Sequence, residues 1–207
     1  ICVKPLDIHP LLKAMSSQLT QQKCIVSITS PISVAQLESL VDCQVARVIP
    51  SITNRALSGV SLLTFGTNCS SDFRHYIEKI FTQISTPVLI EDQVTRVASD
   101  IVSCGPAFFS YLLQRFVDAA VNETHISNEQ ATELATGMIV GMGKLLEKEI
   151  FTLPTLQDKV CVKGGVTGEG IKVLESELGD LFEHLFQNTH AKYYEDIEEV
   201  GKQFNNH

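Results

Sequence analysis

The chain has no apolar run approaching the roughly 20 residues that a membrane-spanning helix requires. A spanning helix is therefore not expected, nor is a membrane partner. Lys4, Asp7 and His9 interrupt the first apolar stretch, so no signal peptide is expected either. Basic residues are in deficit: 16 Lys and Arg stand against 24 Asp and Glu, for a net charge of −8. Phosphate binding needs clustered Lys and Arg, so a nucleic-acid partner is not expected. None of the six cysteines forms a C-x-x-C pair or stands at zinc spacing from a His. No metal site is expected, and the cysteines read as buried, reduced thiols of a cytoplasmic protein. His9, His75, His125, His184 and His190 lack an H-x-x-x-H or H-E-x-x-H companion, so surface or capping roles fit them better than metal ligation. A nucleophile elbow and a G-x-x-x-x-G-K-[ST] phosphate loop are both missing.

What is present divides into two textures. Hydrophobic residues make up 44% and charged residues 19% of the 207, enough for one good core or two small ones. From Ile1 to about Glu91, short β-rich runs alternate with helical patterns. Strands are predicted at Ile1–Lys4, Lys23–Ser27, Gln44–Ile49, Gly59–Phe65 and Pro87–Ile90. Between them lie an amphipathic helix at Ile8–Leu19, a short helix opened by Ser33 with Gln36 as capping-box partner, and a helix at Asp72–Ile84. The alternation implies a largely parallel sheet with crossovers, part of a doubly wound domain. Residue 1 is Ile and reads as the tail of a buried strand, so the first strands of that domain are expected to lie upstream. From Gln93 onward the pattern is helical. Pro106 suits a first helical turn, and Phe108, Phe109, Leu112, Leu113, Phe116, Val117 and Val121 then wrap most of the circumference, which suggests burial by a second subunit. Ser127 and Gln130 form another capping box. Gly137, Gly141 and Gly143 inside that helix point to close packing of a neighbouring helix. Gly170 to Phe204 reads as helical, with the acidic run Tyr194–Glu199 on a solvated face. The domains are drawn at 1–92 and 93–207.

Three local features could carry chemistry. Lys163-Gly164-Gly165-Val166-Thr167-Gly168-Glu169-Gly170 lies between two helical patterns; its glycines permit close backbone approach, and the next helix offers unpaired N–H groups and a positive dipole end to a small carboxylate. Thr167 could add a hydroxyl hydrogen bond. The same stretch also reads as a plain connection. Val3-Lys4-Pro5 ends a strand, where open α/β sheets bind ligands, although a strand-ending Lys-Pro is often only a turn. Ser103-Cys104-Gly105-Pro106-Ala107 is a tight turn or simply a helix start. Cys104, placed at a helix N-terminus, is a candidate for a lowered pKa.

Together and in this order, the three features resemble the pyrroline-5-carboxylate reductase family. Val3-Lys4-Pro5 is similar to its Val-Lys-Pro loop, Arg47-Val48-Ile49-Pro50 to Arg-Val-Met-Pro, Ser103–Ala107 to Ser-Gly-Ser-Gly-Pro-Ala, and Gly164-Gly165-Val166-Thr167 to part of Ser-Pro-Gly-Gly-Thr-Thr. Arg47–Asn54, Val97–Ala107 and Cys161–Gly170 resemble its ComER-type branch, associated with late-competence loci. The resemblance implies the C-terminal part of a Rossmann NAD(P)-binding domain, with the G-x-G-x-x-G fingerprint upstream of residue 1, followed by an all-helical dimerisation domain. It implies NADP or NAD as cofactor, an imino acid substrate, a homodimer with interleaved helices that can build larger rings, and hydride transfer to the C=N bond of pyrroline-5-carboxylate to give proline. Thr167 would be catalytic, with Lys163, Gly164, Gly165 and Val166 beside the substrate and Val3, Lys4, Pro5 and Ser51 beside the cofactor. Three departures stand out: Val162-Lys163 replaces Ser-Pro, Pro50-Ser51-Ile52-Thr53 replaces Pro-Asn-Thr-Pro, and Ser30-Pro31 replaces Ala-Gly. They leave open a paralogue with a regulatory or ligand-binding role. Residues 1–207 by themselves are expected to be inactive, because the pyrophosphate loop is not among them.

Overall fold

A computed structural model describes residues 1–204; the last three residues of the expected helical domain lie outside the described residues. The chain forms two compact units, residues 1–106 with 184–204 and residues 107–183. The sequence-based boundary at 92/93 marks the point where the last strand gives way to helices.

The first unit is built on four strands in the order β1-β2-β3-β4: β1 (Cys24–Ser27), β2 (Gln44–Ile49), β3 (Val60–Phe65) and β4 (Thr86–Leu89). β1 runs parallel to β2 and β3 parallel to β4, but β2 and β3 are antiparallel. The sheet is therefore mixed, which corrects the expectation of a largely parallel one. Residues 50–59, which join β2 to β3, are fewer than the dozen or so that a parallel crossover takes.

Side-chain alternation gives each sheet face its own helices. On one face Ile25 and Val45 meet Ile8 and Leu12 of α1 (Pro5–Met15), Val34 and Leu37 of α2 (Val34–Glu38), and Val200 of α9 (Leu181–Phe204). On the other, Val48 and Leu63 meet Ile77 of α3 (Ser71–Thr82). The predicted capping box at Ser33 is formed, with Gln36 N–H donating to Ser33 Oγ at 3.1 Å and Ser33 N–H donating to Gln36 Oε1 at 2.9 Å.

Ile1–Lys4 is not a strand. Only Ile1 pairs: its amino group donates to the Val26 carbonyl at 2.5 Å and its own carbonyl accepts from Ile28 N–H at 3.2 Å, the pattern of a single parallel bridge beside β1. Pro5 then starts α1 with Lys4 as its N-cap, where a locked φ and a missing N–H cost nothing.

After α4 (Thr95–Ser99) a π-helical turn spans Asp100–Cys104 and leads into α5 (Gly105–Glu123). The second unit continues through α6 (Asn128–Glu147), α7 (Leu153–Val160) and α8 (Val166–Glu177). Ser127 caps α6 by accepting from Gln130 N–H at 3.1 Å. The buried cluster of this unit is small: Val117, Ala131 and Ala135. Phe109, Phe116, Leu134 and Met138 stay exposed, and a Cβ added at Gly137, Gly141 or Gly143 would meet nothing within 4 Å. Among the described residues no helix is long and apolar enough to cross a membrane, and no group of His, Cys, Asp or Glu is arranged to hold a metal ion.

Candidate functional site

The site residues named from sequence fall into two places, one in each unit. In the first unit Ile1 and β1 run in the same direction, and β1 is parallel to β2, so Val3-Lys4-Pro5, the loop Ile28–Ile32 and the segment Pro50–Thr53 all leave the carboxyl end of the sheet. Ligands bind at that edge in open α/β folds. The first turn of α1 adds its N–H groups there. Val3, Ile28 and Ile52 keep exposed apolar surface at these exits, and Lys4 is exposed.

Ser51 is different: it is buried. Its hydroxyl donates to the Val102 carbonyl at 2.8 Å and accepts from Thr53 Oγ1 at 2.9 Å and Thr53 N–H at 3.3 Å. Ser103 returns the connection by donating to the Pro50 carbonyl at 2.9 Å. These two bonds lock the turn Ser103–Gly105 onto the exit of β2.

In the second unit, Val162 to Gly165 form a tight turn closed by Gly165 N–H donating to the Val162 carbonyl at 2.9 Å. Gly164, at the third position, has φ +77°, a value that L side chains rarely adopt. A Cβ at Gly165 would lie 2.8 Å from Val162 Cγ2 and 3.0 Å from its carbonyl oxygen. One glycine serves the left-handed backbone, the other the close approach. Gly165 is also the N-cap of α8, and no side chain caps that helix. Its first-turn N–H groups therefore lack both intrahelical and side-chain acceptors. Thr167 sits in that first turn, half-buried, while Lys163 and Val166 are exposed.

Sequence reasoning missed a polar network in the first unit. Arg47 is 2% exposed; Nη1 donates to the Ser30 and Ile32 carbonyls at 3.3 and 3.2 Å, and Nη2 reaches Asp92 at 2.5 Å and Thr95 Oγ1 at 2.6 Å. Arg96 pairs with the buried Asp100 at 2.9 Å. An arginine inside Val45-Ala46-Arg47-Val48-Ile49 was the available signal, since a charge within an apolar strand must find partners. The network walls a cavity of about 520 Å³ together with Ser33, Gln36, His190 and Tyr193. Burial pushes the Tyr193 phenol up, while Arg47 and Arg96 pull it back.

Cys104 does not have the lowered pKa anticipated for a helix N-terminus. Burial raises it, and the Arg96 guanidinium 3.4 Å from its sulfur opposes the rise without reversing it. The six thiols are free, as expected, but only Cys43 and Cys69 are buried and Cys2 is exposed. His75, His125 and His184 are on the surface; His9 is partly buried with its ring against Phe204, and His190 lies 3.6 Å from Asp100.

Comparison with known proteins bears on both units. A family model for pyrroline-5-carboxylate reductase dimerisation matches residues 91–196. The chain is 62% identical, over 99% of its length and 75% of the relative's, to ComE operon protein 4 of Bacillus subtilis. It is 29% identical to pyrroline-5-carboxylate reductase 3 of the same organism, covering 98% and 75%. In fold it matches a pyrroline carboxylate reductase of Plasmodium falciparum with NADP bound (TM-score 0.79, 22% identity, 99% and 80% covered). It also matches a pyrroline-5-carboxylate reductase of Coxiella burnetii (TM-score 0.78, 19% identity, 98% and 74% covered). The mixed sheet with helices on both faces is accordingly part of a Rossmann-type domain, followed by a helical region matching the dimerisation domain. This chain belongs to the pyrroline-5-carboxylate reductase family.

Proposed function

We propose that the protein is a cytoplasmic, homodimeric NAD(P)H-dependent imine reductase that converts pyrroline-5-carboxylate to proline. The observation that carries this reading is the uncapped N-terminus of α8, presented by a glycine turn with Thr167 in its first helical turn. A carboxylate is the ligand such an end favours, because the N–H groups and the helix dipole both select negative charge. Gly164, Gly165 and Val166 bring the backbone to the substrate carboxylate, and Lys163 adds positive charge beside it. The Thr167 hydroxyl, without a hydrogen-bond partner among the described residues, donates to the ring nitrogen of the imine. That bond orients the C=N group and draws electron density toward nitrogen, which makes the imine carbon a better hydride acceptor.

The strand exits fit a dinucleotide. Val3 and Ile52 offer apolar surface for a flat ring, Lys4 supplies charge, and Pro5 opens α1 with its N–H groups facing the sheet edge. Ser51 shapes this seat through Val102 rather than by a free hydroxyl. When bound, the nicotinamide supplies a hydride to the imine carbon. The open glycine face of α6 and the exposed Phe116, Leu134 and Met138 support the homodimer.

The test is NADPH oxidation by the full-length protein with pyrroline-5-carboxylate. Thr167→Val is expected to lower kcat/KM by roughly one to two decades, the worth of one buried polar contact to the reacting group. Nucleotide binding with no turnover defeats the reading. That outcome leaves the second one, a paralogue with a regulatory or ligand-binding role, favoured by the 62% identity to ComE operon protein 4 and by Val162-Lys163 in place of Ser-Pro. Restoring Val162→Ser with Lys163→Pro raises activity if the site is a reductase site.

A further inference from the structure

The loops at the strand exits are fastened by a helix from the far end of the chain. Tyr193 of α9 donates its hydroxyl to the Ser30 carbonyl at 2.9 Å, the carbonyl that Arg47 also reaches. One helical turn earlier, Thr189 donates to Asp100 Oδ2 at 2.8 Å. The two residues stand at i and i+4, so one face of α9 makes both contacts. They are joined a second way: Arg96 stacks on the Tyr193 ring at 5.3 Å and pairs with Asp100. Asp100 opens the π-helical turn whose far end is locked to Pro50 and Ser51. Thus α9 grips the loop after β1 at Ser30 and the turn beside the β2 exit at Asp100.

Both gripped segments need such support. The loop Ile28–Ile32 lies beyond the sheet ladder, and its Ser30 and Ile32 carbonyls are satisfied by side chains alone. A π-helical turn is a rare, single-turn departure from the α-helix around it, and here side-chain bonds from neighbouring segments hold it. We infer that Tyr193 and Thr189 are positioning residues: they hold the strand-exit loop and the π-turn in the geometry that a nucleotide meets. The nucleotide part of this inference rests on the reading given under Proposed function.

Two nearly isosteric variants of the full-length protein test it. Tyr193→Phe keeps the ring under Arg96 and deletes only the bond to Ser30; Thr189→Val deletes the bond to Asp100 together with a contact to the Phe186 carbonyl within α9. Amide hydrogen exchange over residues 27–33 is expected to quicken about fivefold in Tyr193→Phe, and over residues 100–105 by a similar factor in Thr189→Val, the loss expected for one hydrogen bond. The thermal midpoint should fall by no more than about 2–4 °C in either variant, as for the loss of one hydrogen bond, while the NADPH Kd rises about fivefold. Unchanged exchange in both segments overturns the inference, whatever the nucleotide does. Faster exchange with an unaltered Kd also overturns it, because the loops would then move without consequence for the ligand. Failure of the unmutated protein to bind NADPH sinks the reductase reading instead, and the exchange rates still judge the grip of α9.

Discussion

The two units bury their apolar residues very differently. In the first, Ile8, Leu12, Ile32, Leu37, Val45 and Val200 are sealed on one face of the sheet, and Val48, Leu63 and Ile77 on the other. In the second, the buried cluster is Val117 with two alanines, and Phe109, Tyr111 and Phe116 of α5 and Leu134 and Met138 of α6 are exposed. Burial of a large aliphatic side chain stabilises by about 1.5–3 kcal/mol. The first unit collects that stabilisation within one chain. The second leaves much of it uncollected, as expected of a surface that closes against another copy.

The largest test of this contrast is Leu12→Ala. Leu12 is fully buried between α1 and the sheet, so its truncation should destabilise by about 2–5 kcal/mol through lost transfer energy and the cavity left behind. The loss, read from denaturant unfolding, should not depend on protein concentration. A concentration-dependent loss would show that the first unit also relies on assembly.

Gly141→Leu probes the second unit and is expected to act in the opposite sense. A Cβ there meets nothing within 4 Å in the single chain, and leucine is a better helix former than glycine by nearly 1 kcal/mol. The isolated chain should therefore be unharmed. If a helix of a second copy packs against the glycine face, the added side chain overpacks it and weakens dimerisation by about 1–3 kcal/mol, roughly a fivefold to 150-fold change in the dimer dissociation constant. Sedimentation that shows an equally tight dimer would move the interface away from Gly137–Gly143.

The same contrast explains what could be read from the sequence. Short-range devices were legible: the Ser33–Gln36 capping box, the Ser127 cap and the glycine turn before α8 each depend on residues a few positions apart. Apolar periodicity located β2, β3 and α3 to within a few residues. Pairing direction was not legible, because it depends on how β3 returns to β2. Nor was the Arg47–Asp92–Thr95 network or the bond between Tyr193 and Ser30, whose partners are 163 residues apart. The assignment of Ile1–Lys4 to a strand went astray for a local reason: Pro5 at the first helical position was the stronger signal. For Cys104, burial outweighed the helix end and the neighbouring arginine.

Thiol reactivity is the finest comparison. Cys24, Cys43 and Cys69 belong to the first unit, and burial raises the pKa of each; Cys24 is pushed up to about 12, with Cys69 and then Cys43 adding to the effect. The thiolate is the nucleophile, so a thiol with a pKa near 12 is ionised in only about one molecule in ten thousand at pH 8. Alkylation of the folded protein at that pH should therefore mark Cys2, which is exposed, and Cys161, which is half-exposed in the second unit, while sparing Cys24, Cys43 and Cys69. Raising the pH toward 10 should increase the Cys24 rate in proportion to its thiolate, about tenfold per unit, for as long as the fold holds. Early labelling of Cys24 at pH 8 would mean that the face of the sheet packed by α3 opens readily, and the contrast between a closed first unit and an unfinished second one would fail where it is sharpest.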